Sequence, residues 1–183
     1  AARSSKKFVQ IGFVNRFSPF IIEAKRLIQG GFLGKPLMIS MGAFDEALNE
    51  KDSHHFKKVM GFLEHGSSFA HEGTHLLDYL RFFQFGEPKK ISARGLRSDT
   101  RFPRENWVHV NLSFDDGSLV NLEVGWMTKY LPKGYIRITG PMGRIEVIRR
   151  DGRMWFENSD GIKEYTLEQG WDEITFASQL LAF

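Results

Sequence analysis

Val108-His109-Val110-Asn111-Leu112-Ser113-Phe114-Asp115-Asp116-Gly117-Ser118-Leu119-Val120-Asn121-Leu122-Glu123-Val124-Gly125-Trp126 is the stretch that decides the fold class. Val108, Val110, Leu112 and Phe114 alternate with His109, Asn111 and Ser113. Asp115-Asp116-Gly117 then turns the chain, and Val120, Leu122, Val124 and Trp126 alternate with Asn121, Glu123 and Gly125. A period of two on both arms of a tight Gly-containing turn predicts an antiparallel hairpin with one buried and one open face. His109 falls on the open face, as a solvated strand residue rather than a ligand.

The same pattern continues outward. Turns at Gly140-Pro141-Met142-Gly143, Asp151-Gly152 and Asp160-Gly161 separate strand-like runs at Tyr135 to Thr139, Arg144 to Ile148, Met154 to Glu157 and Lys163 to Leu167. With Ile91 to Arg97 and Leu37 to Phe44 these make a large antiparallel or mixed sheet of seven or eight strands. Helical patterns lie mainly before the sheet and at the end, so the predicted class is α+β with helices covering one face.

Phe8 to Val14 reads as a short strand. In Asn15-Arg16-Phe17-Ser18-Pro19 a helix N-cap precedes a proline at the first helical position, and the helix runs on from Phe20 to Gln29 until Gly30 and Gly31. Gly34-Lys35-Pro36 is a turn and not a phosphate loop, because the earlier glycine and the following Ser or Thr are missing. Asp45 to Gly66 is polar, with a short helix, and its adjacent His54 and His55 point different ways on any regular backbone, which favours surface positions over a metal site. Trp171 to Phe183 is an amphipathic helix with Ile174, Ala177, Leu180 and Leu181 on one stripe. The abrupt start and the apolar end suggest a piece of a longer protein.

The chain has 183 residues, of which 42% are apolar and 17 are Phe, enough for one well-packed domain. Its 25 basic and 22 acidic residues are interspersed, so the net charge of +3 forms no concentrated basic face, which argues against nucleic-acid binding. There is no Cys, hence no disulfide or thiolate chemistry, as suits a cytoplasmic protein. No apolar run approaches the roughly 20 residues that span a bilayer, so a soluble protein without a membrane partner is expected.

One further run carries chemistry. His71-Glu72-Gly73-Thr74-His75-Leu76-Leu77-Asp78 lies in a helix predicted from about Phe69 to Phe85, capped by Ser67 or Ser68 and ended by Gly86-Glu87-Pro88. Phe69, Leu76, Leu80 and Phe83 form its apolar stripe; His71, His75, Asp78 and Phe82 form a second stripe beside it. As His-Glu-x-x-His it matches a zinc-hydrolase box. That reading lacks a third ligand: Asp78 and Arg81 stand where a metzincin has Gly and His, and a second-helix glutamate would fall in the strand near Gly95. Asp78 itself could complete the set, so the alternative stays open at this point.

The ordered segments Val9-Gln10-Ile11-Gly12-Phe13-Val14-Asn15-Arg16-Phe17-Ser18-Pro19, Gly34-Lys35-Pro36-Leu37, Glu72-Gly73-Thr74-His75-Leu76-Leu77-Asp78-Tyr79-Leu80-Arg81-Phe82, Phe114-Asp115-Asp116-Gly117-Ser118-Leu119 and Gly140-Pro141-Met142-Gly143-Arg144-Ile145-Glu146-Val147 resemble the C-terminal domain of the glucose-fructose oxidoreductase and inositol dehydrogenase (Gfo/Idh/MocA) family. The resemblance implies a glyceraldehyde-3-phosphate dehydrogenase-like C-terminal fold. Residues 1–17 would be the tail of a missing N-terminal Rossmann domain, and residues 18–183 the substrate-binding and oligomerisation domain, cut within its last helix. It further implies NAD or NADP bound mainly by the missing domain, with Arg16 the residue of this chain near the cofactor. It implies a sugar, polyol or related hydroxy compound as substrate, and a homo-oligomer through the open sheet face, where Ser113, Asn121, Glu123 and Arg137 lie. By itself the chain would not turn over.

In that family an Asp-x-x-x-His pair on this helix faces the reacting carbon. His75 matches the histidine, and an imidazole suits proton exchange at a hydroxyl. His71 stands where the family usually has aspartate and cannot supply the same charge. Catalytic candidates are therefore His75, His71, Asp78 and Glu72, with His75 expected to lean on Glu72 or Asp78, at i−3 and i+3. A stable dimerisation module without catalysis is the remaining class.

Overall fold

A computed structural model describes residues 12–49, 51–167 and 171–182. Four α-helices and eight strands follow along the described residues: α1 (Pro19–Gln29), β1 (Met38–Phe44), α2 (Ser53–His65), α3 (Ser68–Phe82), β2 (Lys90–Leu96), β3 (Trp107–Ser113), β4 (Leu119–Gly125), β5 (Tyr135–Gly140), β6 (Gly143–Ile148), β7 (Arg153–Asn158), β8 (Gly161–Thr166) and α4 (Trp171–Leu181). They form one mixed sheet in the order β2-β3-β4-β1-β5-β6-β7-β8. The predicted α+β class and all of the expected strands within the described residues are present.

The sheet is two antiparallel meanders joined by β1. On one side β1 pairs in parallel with β4, Met38 opposite Leu119 and Phe44 opposite Gly125. On the other it runs antiparallel to β5, Gly42 opposite Tyr135. The inserted strand brings the C-terminal end of β1, the start of β5 and the end of β6 to one edge of the sheet, because each antiparallel step reverses direction.

The period-two pattern sorts the faces. Ile39, Met41, Val110, Leu112, Val120, Leu122, Val124, Ile136, Ile138, Ile145 and Val147 are buried on the helix side with Phe20, Ile21 and Leu27 of α1 and Leu76, Tyr79 and Leu80 of α3. This apolar burial is the main driving term for the fold. The open face carries Ser40, Asn121, Arg137 and Glu146, with Arg137 Nε 2.7 Å from Glu146 Oε1 and Arg144 Nε 2.6 Å from Glu157 Oε2 across neighbouring strands.

Several boundaries differ from expectation. The strand expected over Phe8 to Val14 lies mostly outside the described residues, and its last residue, Val14, opens a 3₁₀ turn (Val14–Phe17). Helix α1 starts as predicted, with Ser18 extended at the N-cap and Pro19 first. Helix α2 is longer than a short turn, started by Asp52, whose Oδ1 accepts the His55 amide at 2.9 Å. His54 is exposed, and His55 Nε2 lies 3.1 Å from Glu46 Oε2, so the adjacent pair diverges as expected.

Helix α3 ends three residues early, at Phe82 rather than Phe85. Gln84 adopts a left-handed φ of 66°. The Phe85 amide then donates to the Leu80 carbonyl and the Gln84 amide to that of Arg81, each at 3.0 Å, which closes the last turn without a glycine. In α4 the expected stripe is not buried: Ile174, Leu180 and Leu181 are exposed while Thr175 is buried, and the helix packs on the 3₁₀ turn at Val14–Phe17.

Candidate active site

Helix α3 crosses the buried face over β1, β3 and β4, fixed there by Leu76, Tyr79 and Leu80. Gly73 is buried because the Phe69 ring, one turn earlier, rests on it. A Cβ at position 73 would lie 2.6 Å from that ring, so Ala is excluded without moving Phe69. The polar residues of α3 then leave the helix in three directions.

His71 turns towards α2. Its ring stacks on Trp126 at 5.3 Å and 28° and lies 5.4 Å from the Phe62 ring. His71 Nε2 is 3.1 Å from the Phe62 carbonyl oxygen. A carbonyl can only accept, so Nε2 carries the proton in this contact. The ring caps a small apolar cluster of Val59, Leu63, Phe102, Trp126 and Met127. His71, the other histidine among the expected catalytic residues, is not among the residues that line the cavity of Glu72 and His75; its ring packs on Trp126 and Phe62.

Asp78 turns the opposite way. Its carboxylate is only 4% exposed and accepts from Arg16 Nε at 2.9 Å, with Arg16 Nη2 on the other oxygen. The hydrogen bond, followed by the charge of Asp78, raises the Arg16 guanidinium above its usual value against the cost of burial. The guanidinium also lies 5.5 Å from the centre of the Phe13 ring and 5.6 Å from that of Phe82. Arg16, expected near the cofactor, is thus held on α3 by a residue 62 positions away, and Asp78 is occupied by Arg16.

Glu72 and His75 take the third direction. Both line a cavity of about 400 Å³ between α3 and the sheet edge, closed on the sheet side by Gly42, Phe44 and Asp45 of the β1 end and by Tyr135 of β5. His75 meets the Phe13 ring edge to face at 6.2 Å and 89°. Of the two partners expected for His75, Glu72 is the one that shares its cavity. Asp78 lines a different, more apolar groove with Phe13, Arg16 and Phe85.

Sequence reasoning missed part of the wall. Asn15, Asp45, Tyr135 and Arg150 all border the cavity. Burial, and next the charge of Glu123, push the Tyr135 phenol up, so at neutral pH it is a protonated donor; its hydroxyl donates to Glu123 Oε2 at 3.4 Å. Gly42 is required beside it, since a Cβ there would lie 2.5 Å from ring atoms of both Phe44 and Tyr135. The available signal was positional: Asp45, Tyr135 and Arg150 all sit at strand ends, and only the strand order shows that these ends are adjacent.

Among the described residues no group of three His, Asp or Glu side chains could hold a metal ion. The His-Glu-x-x-His trio is not assembled as a site, because packing sends His71 and His75 to different surroundings. Among the same residues no helix is long and apolar enough to cross a membrane.

A family model described as the GFO/IDH/MocA C-terminal domain matches residues 21–146. The chain belongs to this family. No curated protein matches it significantly. Among solved Gfo/Idh/MocA-like structures, an inositol dehydrogenase homologue from Azotobacter vinelandii, complexed with NAD+, superposes with a TM-score of 0.75 at 17% identity, over 92% of this chain and 46% of that one. UDP-N-acetylglucosamine 3-dehydrogenase from Acidithiobacillus ferrooxidans gives 0.72 at 15% identity, over 99% and 54%. An oxidoreductase from Agrobacterium radiobacter, in complex with NAD+, L-tartaric acid and magnesium, gives 0.68 at 17%, over 92% and 51%. The chain thus spans about half the length of these structures.

Proposed function

We propose that this domain is the substrate half of a nicotinamide-dependent oxidoreductase acting on a sugar, polyol or related hydroxy compound, with His75 exchanging the proton of the reacting hydroxyl. The observation that carries the reading is the placement of Glu72 and His75, one turn apart on α3, in the wall of a sugar-sized polar cavity. Two of the matched relatives are complexed with NAD+, which supports a nicotinamide cofactor without choosing between NAD and NADP.

The described residues fit one end of such a cofactor and not the other. Gly30 and Gly31 end α1 instead of opening a helix after a strand, so among the described residues there is no backbone cradle for a pyrophosphate. The substrate wall does fit: an imidazole, the carboxylates of Glu72 and Asp45 and the Asn15 side chain border space for a polyhydroxylated molecule. A nicotinamide cofactor, when bound, would supply the hydride acceptor for the carbinol carbon. His75 accepts the hydroxyl proton in oxidation and returns it in reduction, while Asn15 and Glu72 hold neighbouring hydroxyls. Arg16 acts next to the cofactor side by fixing Asp78 and the Phe13 ring against which His75 rests. On this reading the chain alone does not turn over.

The test is the protein that carries this domain together with a nucleotide-binding domain. His75→Gln is expected to lower kcat by about 10²- to 10⁴-fold with little change in KM; unchanged turnover on its true substrate removes the role. We also propose that the open sheet face joins a second copy in the cytoplasm. Met38 and Leu119 are register neighbours there and are 57% and 51% exposed. Light scattering on a Met38→Lys, Leu119→Lys variant should report a monomer where the unaltered chain is a dimer.

A further inference from the structure

Arg150 sits in the 3₁₀ turn (Arg149–Asp151) between β6 and β7, on the sheet-edge wall of the cavity. The turn is anchored: the Leu167 amide donates to the Gly152 carbonyl at 2.9 Å, and Lys133 Nζ holds Asp151 at 2.7 and 2.9 Å from its two carboxylate oxygens. The carboxylate next to Arg150 in sequence is therefore neutralised by another residue.

Nearby arginines are likewise matched. Arg137 holds Glu146, Arg144 holds Glu157, Arg153 lies 3.6 Å from Glu164, and Arg16 holds Asp78. Arg150 forms no ion pair with any described carboxylate. It is, among the described residues, the one Arg or Lys that lines the cavity, although the acids Asp45 and Glu72 line the same space. A guanidinium offers five donors in a planar fork that fits two oxygens of one anion. Here Arg150 borders a cavity and is in no ion pair with the acids Asp45 and Glu72 that border it too.

From this we infer that the molecule bound in the cavity carries an oxyanion, a carboxylate or a phosphate ester, and that Arg150 binds it while the hydroxyl-bearing part lies against α3. The inference rests on reading this cavity as the substrate site. It narrows the substrate from hydroxy compounds in general to acidic or phosphorylated ones. Arg150 thereby sets specificity without taking part in proton transfer.

The test is direct binding to the chain, by calorimetry or by amide chemical shifts, with three probes of one ring type: D-glucose, D-glucuronate and D-glucose 6-phosphate. One of the anionic probes should bind about tenfold or more tightly than D-glucose, as expected for a charge-assisted bidentate contact. Preference for glucuronate identifies a carboxylate, and preference for the phosphate a phosphorylated ligand. Arg150→Met should remove the preference, and Arg150→Lys should keep part of it. Equal affinity for all three probes, absence of binding by both anionic ones, or a preference that survives Arg150→Met overturns the inference. His75→Gln separates this from the underlying reading: if it weakens D-glucose binding while Arg150→Met changes nothing, the cavity stands and the role of Arg150 falls. If neither variant alters any probe, both fall.

Discussion

His71 and His75 are one turn apart on the same helix, identical in chemistry, and differ in everything that surrounds them. His71 is closed over by Trp126 and Phe62 and spends its Nε2 proton on a backbone carbonyl. His75 opens on a cavity with Glu72 and meets the Phe13 ring edge to face. Two imidazoles at i and i+4 are offset by about 40° around a helix, and that offset is enough for one to pack on Trp126 and Phe62 and the other to border a cavity. The contrast teaches that a ligand-like spacing is a statement about backbone direction, and that neighbouring elements decide what each side chain meets.

Asp78 provides the strongest way to break the comparison, because it anchors the third side of α3. Arg16→Met should cost about 3 kcal/mol in urea unfolding, since it leaves a buried carboxylate unpaired. Asp78→Asn should cost less, about 1 kcal/mol, because the 40% exposed guanidinium can turn to water and the amide oxygen can still accept. Equal costs for the two would contradict the asymmetry of burial. His71→Ala should lose about 2 kcal/mol, from the ring stacking and the bond to Phe62, and His71→Phe should recover the stacking part alone. Neither His71 variant should change ligand binding in the cavity by more than about twofold, which is the sharpest division between the two histidines.

Gly42→Ala acts on the other region. Its Cβ must displace the Phe44 or Tyr135 ring, so it should cost about 1 kcal/mol of stability and weaken binding of a polyol such as myo-inositol, with His71 resonances unmoved. The smallest effect is expected far from either histidine. The Lys35 hydrogen bond to Asp116, aided by the Ser118 amide, holds the Asp116 carboxyl down from 3.8 to about 2. A depressed acid stabilises the folded form fully above its unfolded value and loses that contribution as pH falls through the folded one. Stability should therefore drop between pH 3.8 and about 2, and Asp116→Asn should flatten that part of the curve.

Much of the fold was readable because it is written locally. The hairpin from Val108 to Trp126, the strands after it and the Ser18-Pro19 helix start each follow from neighbours within a few residues. What was not readable is non-local. Nothing in the alternation of Met38 to Phe44 says that this strand enters between β4 and β5, parallel to one and antiparallel to the other. Without that order, Asp45, Tyr135 and Arg150 remain three unrelated strand ends. The Arg16 to Asp78 pair spans 62 positions and carries no spacing signal, and the left-handed Gln84 that ends α3 is a residue type rarely read as a stop. Within the site, His75 and Glu72 were legible from the helix itself, whereas the fate of His71 depended on Trp126, a residue 55 positions away.

The division between the two histidines is tested most directly by a titration of the chain with myo-inositol followed at the imidazole resonances of His71 and His75. The His75 ring signals should move in a saturable way while those of His71 stay in place, and Glu72→Gln should weaken the His75 response. A response at His71 with His75 unmoved would contradict the assignment of the cavity wall, and with it the proposed role of His75.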